Sequence, residues 1–191
     1  MATAQRYIAF LRAVNVGGRV VKMDRLRAIF EELEFDSVAT FIASGNVAFE
    51  SRSTNTNAME RRIEKALQAA LGYDVETFVR TPAELAAALD HDPFDDGIEG
   101  QALLLGFLGE APSATTCRAV ADAGTKVDDL RVHGRELYWR CHTRLSETAI
   151  TPKQLARVLG MPTTTRNVTT VRKLVEKYGA AGASSSPLRR R

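Results

Sequence analysis

The chain has 191 residues, of which 45% are hydrophobic and 26% charged. That is ordinary globular material, sufficient for the core of one large domain or two small ones. The formal charge of +3 rests on the terminal arginines: without Arg189, Arg190 and Arg191, 23 basic residues face 23 acidic ones, so the body has no general attraction for nucleic acid.

The first strand pattern is "RYIAFLRAV", Arg6–Val14, a short apolar run rich in strand formers. "KMDRLRAIFEELEF" follows with a helical period. Met23, Leu26, Ile29, Phe30 and Leu33 share one face; Asp24, Arg25, Glu31 and Glu32 share the other. "SVATFIAS" alternates Val38, Thr40 and Ile42 with Ala39, Phe41 and Ala43. Ser44-Gly45-Asn46 supplies turn residues, and "NVAFES" reads as the returning strand of a hairpin. "NAMERRIEKALQAALG" predicts a second amphipathic helix, capped by Asn57, with Glu60 three residues on and Gly72 closing it. "VETFVR" completes a βαββαβ order, the ferredoxin-like plan.

The chain then starts again. Thr81-Pro82-Ala83-Glu84 is a helix start, opening a connector helix before the polar loop "HDPFDDGIEG". "QALLLGFLG" reads as a buried strand and "SATTCRAVADAG" as a helix. "KVDDLRVHGRELYWRCHT" holds two strand patterns around His133-Gly134. Thr151-Pro152-Lys153-Gln154 repeats the capping logic, and "NVTTVRKLVEKYG" is a last helix from an Asn167 cap to Gly179. The expected class is α+β, with two ferredoxin-like, βαββαβ-type subdomains whose shared order suggests an internal duplication. The expected boundaries are 1–80 for the first, 81–101 for the connector helix and loop, and 102–179 for the second. The stretch 180–191, "AAGASSSPLRRR", is expected to be a disordered basic tail.

No stretch approaches the roughly 18 apolar residues of a membrane helix. "MATAQ" lacks the charged region and apolar run of a signal peptide. Cys117 and Cys141 have no metal or redox spacing and fit a reducing cytoplasm. His91, His133 and His142 are not spaced for zinc, so neither a metal nor another cofactor is expected. Cys141 and His142 are adjacent on a strand and face opposite ways, so a nucleophile pair would need His91 or His133 brought in by folding. Tyr138 and Trp139 alternate, one inward and one outward, which favours core packing over a base-stacking platform. "SGNVAFES" lacks the basic first residue and aromatic spacing of an RNA-binding strand.

Three polar stretches remain. Arg12 ends a strand, Asn15, Gly17 and Gly18 fill the following turn, and Lys22 enters the helix. Backbone N–H groups beside glycines can cradle an anion, and Arg12 and Lys22 would add charge. The motif is neither a P-loop nor G-x-G-x-x-G, and a plain strand-to-helix turn outweighs the anion site. Ser44–Asn46 is expected at the opposite end of the sheet, as a turn only; were both loops at one end, Arg12, Asn15 and Asn46 would converge. "TTTRNVTTVRKL" reads equally as a cap, with Asn167 facing Thr170, or as an anion contact through Arg166, Asn167 and Lys173.

"FLRAVNVGGRVVKMDRLRAIFEELEFDSVATFIASGNVAFES" resembles the first half of the bacterial family called domain of unknown function 1697. Its pattern reads L-R-G-I-N-V-G-G, then K-M, L-R, L-G-F, then Y-I-Q-S-G-N-V-x-F. "TTTRNVTTVRKL" resembles the family's T-x-R-N-W-N-T-V-x-K-L signature, so the resemblance runs from Tyr7 to Leu174. It implies two subdomains related to the ferredoxin-like plan, and no established activity. It marks Asn15–Gly18, Ser44–Asn46 and Thr165–Asn167 as characteristic. Ala13-Val14 replaces Gly-Ile, Ala43 replaces Gln, and Val168-Thr169 replaces Trp-Asn. Near Arg144, Glu147 stands where Lys is usual. The missing Lys and Trp count against a basic stacking surface.

The sequence offers no general base or nucleophile from which to name a reaction. The expectation it supports is a cytoplasmic protein binding a small anionic ligand, phosphate or carboxylate, between its subdomains, through Arg12, Asn15, Gly17, Gly18, Asn46, Arg166 and Asn167. The alternative is a nucleic-acid or protein-binding module without catalytic activity, with nucleic acid confined to the tail.

Overall fold

A computed structural model describes residues 3–15, 20–42, 45–91, 93–94 and 102–179. Gly17, Gly18, Ser44 and the tail at 180–191 lie outside the described residues. The first half runs β1 (Gln5–Leu11), α1 (Met23–Glu32), β2 (Asp36–Phe41), β3 (Asn46–Ser51), α2 (Thr56–Leu71) and β4 (Thr77–Arg80), followed by α3 (Pro82–Asp90). The second runs β5 (Ala102–Phe107), α4 (Ala114–Asp122), β6 (Asp128–His133), β7 (Glu136–Cys141), α5 (Pro152–Leu159) and β8 (Thr164–Asn167), followed by α6 (Val168–Tyr178). Each half forms an antiparallel sheet, ordered β2-β3-β1-β4 and β6-β7-β5-β8. The α+β class and the ferredoxin-like order hold in both.

The apolar run of β1 has two destinations. Tyr7, Ala9 and Leu11 pack with α1 and α2, while Ile8 and Phe10 join a second core. A central strand covered on both faces carries apolar residues without a gap, because alternation then has no solvent side to show. Tyr138 and Trp139 follow the same rule on β7: both are buried, Tyr138 in the central core and Trp139 in the core under α4 and α5.

The central core is where the halves meet. Ile8, Phe10, Ala48 and Phe78 come from the first sheet, Leu105, Phe107 and Tyr138 from the second, with α3 and α6 completing it. The connector helix α3 is thus part of the core, and Tyr138 donates its hydroxyl hydrogen to the Ala88 carbonyl at 3.0 Å. Phe10 and Phe107 stack with centroids 3.8 Å apart. Such a pair contributes about 0.5–1.5 kcal/mol beyond its buried area.

Those two rings occupy matching positions. Phe10 pairs with Asn46 and Phe78; Phe107 pairs with Glu136 and Thr164. Asn46 therefore corresponds to Glu136, and Arg80, two residues past Phe78, to Arg166, two residues past Thr164. The Phe10–Phe107 stack lies where a twofold axis between the halves would pass. This matching of register suggests an internal duplication.

Local signals account for most helix ends. Thr81 with Glu84, and Thr151 with Gln154, form reciprocal capping boxes with proline in the first turn. Gly72 closes α2 at φ 80°, in the left-handed region that glycine enters without a Cβ penalty. The cap of α2 is Asn55 and not Asn57: the Asn55 side chain accepts the Ala58 N–H at 3.0 Å, and the helix begins at Thr56. Asn167 caps α6 as expected but accepts from Thr169, not Thr170. The threonine-rich stretch before it is strand β8, which the sequence reading missed.

Candidate functional site

The loop after β1 and the turn before β3 lie at the same end of the first sheet, contrary to the expectation from sequence. Strand β1 pairs antiparallel with β3, so the end of one faces the start of the other, and the Leu11 N–H donates to the Gly45 carbonyl at 2.8 Å. Backbone strain gathers there. Ala13, Asn15 and Ile42 have φ of 56°, 61° and 49°. Positive φ is costly for an alanine and more so for a β-branched isoleucine.

Arg166 enters this end from the second half. Its Nε donates to Asn46 Oδ1 at 2.7 Å, and its Nη2 to the Leu11 carbonyl at 2.9 Å and the Gly45 carbonyl at 3.4 Å. Its Nη1 donates to Thr164 Oγ1 at 2.8 Å and the Thr165 carbonyl at 2.9 Å. All three nitrogens are engaged, and the residue is only 9% exposed. Burial pushes its guanidinium down to about 10, which leaves it charged at neutral pH. Among the described residues no carboxylate pairs with it.

Arg80, its counterpart, reaches the other way. Its Nε donates to Glu136 Oε1 at 2.8 Å, and its Nη2 to the Leu108 carbonyl at 2.8 Å and the Arg135 carbonyl at 3.1 Å. Its Nη1 donates to the Val79 carbonyl at 2.9 Å, as Arg166 does to the carbonyl just before it. Each guanidinium carbon also lies 5.7 Å from a phenylalanine of the stacked pair, Arg80 over Phe107 and Arg166 over Phe10. Burial lowers the Arg80 pKa, opposed by the Glu136 carboxylate. The two arginines fasten the halves together, but among the described residues only Arg80 has a counter-ion.

The other expected site residues are spread around this end. Arg12 donates through Nη1 to Glu76 Oε1 at 2.9 Å, with both side chains about a third exposed, and its N–H bonds the Glu76 carbonyl. Asn15 accepts the Val21 N–H at 2.6 Å, bracing the loop that leads into α1. Asn46 is buried and donates its amide to the Phe41 carbonyl at 3.2 Å. Asn167 is exposed at the start of α6, and Lys22 stands at the start of α1. The structure therefore joins Asn46 and Arg166 directly, sets Arg12 and Asn15 on the strand end and loop beside them, and gives Asn167 a cap.

Arg80 and Glu136 were missed. The signal available was an arginine closing the apolar strand "TFVR", matched by the arginine in "TTRN". The histidines and cysteines form no reactive pair. His91 stacks on His133 with centroids 4.1 Å apart, His142 contacts Asp129 at 2.7 Å, and buried Cys141 lies near Thr143 and the Arg144 carbonyl. Among the described residues no group of three or more His, Cys, Asp or Glu is arranged to hold a metal ion. No helix among them is long and apolar enough to cross a membrane.

The family model described as "Protein of unknown function (DUF1697)" matches residues 4–138, and the chain belongs to that family. The match includes Asn46, Arg80 and Glu136 and ends before Arg166. A solved structure, described as conserved bacterial protein SP0830 from Streptococcus pneumoniae, is similar over 91% of this chain and 98% of that one, with a TM-score of 0.67 and 20% identity. At that identity the likeness bears on the fold. No curated protein matches the sequence.

Proposed function

We propose that this chain is a cytoplasmic protein that binds a small anion, phosphate or carboxylate, at the end of the first sheet where Arg166 of the second half meets Asn46. The observation that carries the reading is the contrast between the arginines. Arg80 is neutralised by Glu136 at 2.8 Å, while the equivalent Arg166 faces the neutral amide of Asn46. A desolvated cation without a carboxylate leaves a positive field that an anion can answer, and strained loops beside it are a common mark of binding sites. Arg12 and Asn15 stand on those loops, and Gly17 and Gly18 belong to the same connection in the sequence. The Arg166 hydrogen bonds are already taken, so it acts through its charge, and direct contacts fall to the loop backbone and Arg12.

Thermal melts of the full chain test this, with inorganic phosphate and pyrophosphate at constant ionic strength. The wild-type midpoint should rise with anion concentration, because a ligand that prefers the native state stabilises it by mass action. Asn46→Asp supplies the carboxylate that Arg166 lacks and should abolish the rise while leaving a folded protein. Equal responses from both proteins, or none from either, would defeat the reading.

A further inference from the structure

The correspondence between halves relates two flanks of the central core, and they are filled differently. On the flank over the first sheet, Tyr178 of α6 is 5% exposed and packs in the same cluster as Ile8 and Ala48. Phe41 meets its ring edge-on at 6.4 Å, and Arg6 and Lys177 lie 5.7 and 5.3 Å from its centroid. On the flank over the second sheet, Leu105 and Tyr138 correspond to Ile8 and Ala48. There the described residues leave a cavity of about 220 Å³ between Ala88 and His91 on the α3 side and Val168 and Arg172 on the α6 side.

We propose that this cavity is a binding site for a monocarboxylate whose apolar body is about the size of one six-membered ring. The size argument comes first. An apolar cavity of about 150 Å³ is enough to hold benzene, so this one takes a ring and one small substituent. Its lining is mixed: Leu89, Leu103, Leu105 and Val168 give an apolar side against which a ring can pack, and His91, Tyr138 and Arg172 give a polar side for a charged head. Tyr138 is committed, since its hydroxyl holds the Ala88 carbonyl. The charge argument comes second. Arg172 is exposed and makes no hydrogen bond or ion pair among the described residues, so its planar guanidinium can take a carboxylate through two N–H groups. His91 is held by ring contacts, stacked on His133 and edge-on to Tyr138 at 5.4 Å, and its ring nitrogens bond no described residue. It supplies a second polar group on the opposite wall. This site is separate from the Arg166 end and stands or falls without it.

The test is a titration of the full chain with benzoate, benzyl alcohol and inorganic phosphate, followed by calorimetry and by the imidazole NMR signals. Benzoate should bind in the range of about 1 mM or tighter, as expected for a ligand of this size, and should move the His91 signals. Benzyl alcohol should bind at least about tenfold more weakly, and Arg172→Ala should weaken benzoate by a similar factor. Arg172 is exposed, so that variant should fold normally. Any phosphate response at the Arg166 end should survive Arg172→Ala, which keeps the two sites distinguishable. The proposal is overturned if benzoate does not bind, if it leaves His91 unmoved, or if Arg172→Ala or benzyl alcohol makes no difference.

Discussion

Arg80 and Arg166 make the same reach in opposite directions, and differ chiefly at one acceptor: Glu136 Oε1 at 2.8 Å for Arg80, Asn46 Oδ1 at 2.7 Å for Arg166. That single difference separates their expected costs. Arg80→Ala strands a Glu136 carboxylate that is only 17% exposed, together with three carbonyls, and should cost about 3–5 kcal/mol. Arg166→Ala strands carbonyls and an amide but no charge, and should cost about 2–4 kcal/mol. Adding Glu136→Gln to Arg80→Ala should recover about 1 kcal/mol or more. Urea unfolding of the set checks this; strict additivity of the Arg80 and Glu136 changes would show that their pairing does not matter.

The edge of β4 that pairs with no strand yields a prediction in pH. Glu60 Oε1 accepts the Val79 N–H at 2.8 Å and Glu64 Oε1 accepts the Thr77 N–H at 2.9 Å, so two carboxylates of α2 cover the outward donors of an edge strand. Burial pushes both carboxyl groups up, against the pull of those hydrogen bonds. A raised folded-state pKa gives stability that is full below the unfolded value, about 4.3, and is lost as pH rises through the folded one. Glu60→Gln keeps an oxygen for Val79 but does not titrate. Its stability relative to wild type should therefore climb as the pH rises above about 4.3, the unfolded value. A pH-independent difference would mean that Glu60 titrates normally.

What could be read from the chain divides by range. The capping boxes of Thr81 and Thr151 and the Gly72 stop were legible because their partners lie within one turn. Choosing Asn57 over Asn55 was a local error between two residues that cap equally well in isolation. Strand β8 was hidden because "TTRN" has no apolar pattern of its own; its state comes from pairing with β5, where Thr165 faces Gly106. Asn46 and Arg166 lie far apart in the chain and meet only through the direction in which β1 and β3 run, which no local pattern encodes. For the same reason Arg12 looked free in the sequence, while the fold supplies Glu76 as its partner.

Gly45 offers a comparison between strain alone and strain with a clash. Its φ is 70°, and a Cβ there would lie 3.2 Å from the Leu11 carbonyl oxygen that Arg166 uses and 3.3 Å from Leu11 Cβ. Gly72, at φ 80°, has nothing within 4 Å. Gly72→Ala should cost about 1 kcal/mol from the left-handed backbone alone. Gly45→Ala should cost about 2–3 kcal/mol, because the new methyl also presses on the acceptor end of the Arg166 clamp. In thermal melts that is a loss of roughly 2–4 °C per kcal/mol for a chain of this size. If the two variants melt together, Leu11 gives way freely and the clamp tolerates the shift.

Asp128 is the opposite titration case to Glu60. It is fully buried at the start of β6, and burial by itself would raise its pKa. Three donors outweigh that: Trp139 Nε1 and Thr148 Oγ1, each 2.8 Å from Oδ1, and Thr125 Oγ1, 2.9 Å from Oδ2. The net result is a carboxyl held below its ordinary value. A depressed folded-state pKa means stability present above the unfolded value, about 3.9, and lost as pH falls through the folded one. Asp128→Asn keeps one acceptor oxygen and turns an N–H₂ toward a neighbour that was donating. At neutral pH it should cost about 2–3 kcal/mol, and the acid limb of the stability curve should flatten. Trp139 is the chain's only tryptophan, so its fluorescence reports this contact directly and should change as the charged acceptor of its indole N–H becomes a neutral amide. Unchanged emission together with unchanged acid sensitivity would mean that Asp128 is protonated in the native state. Its hydrogen bonds would then have to be redrawn with the carboxyl as a donor.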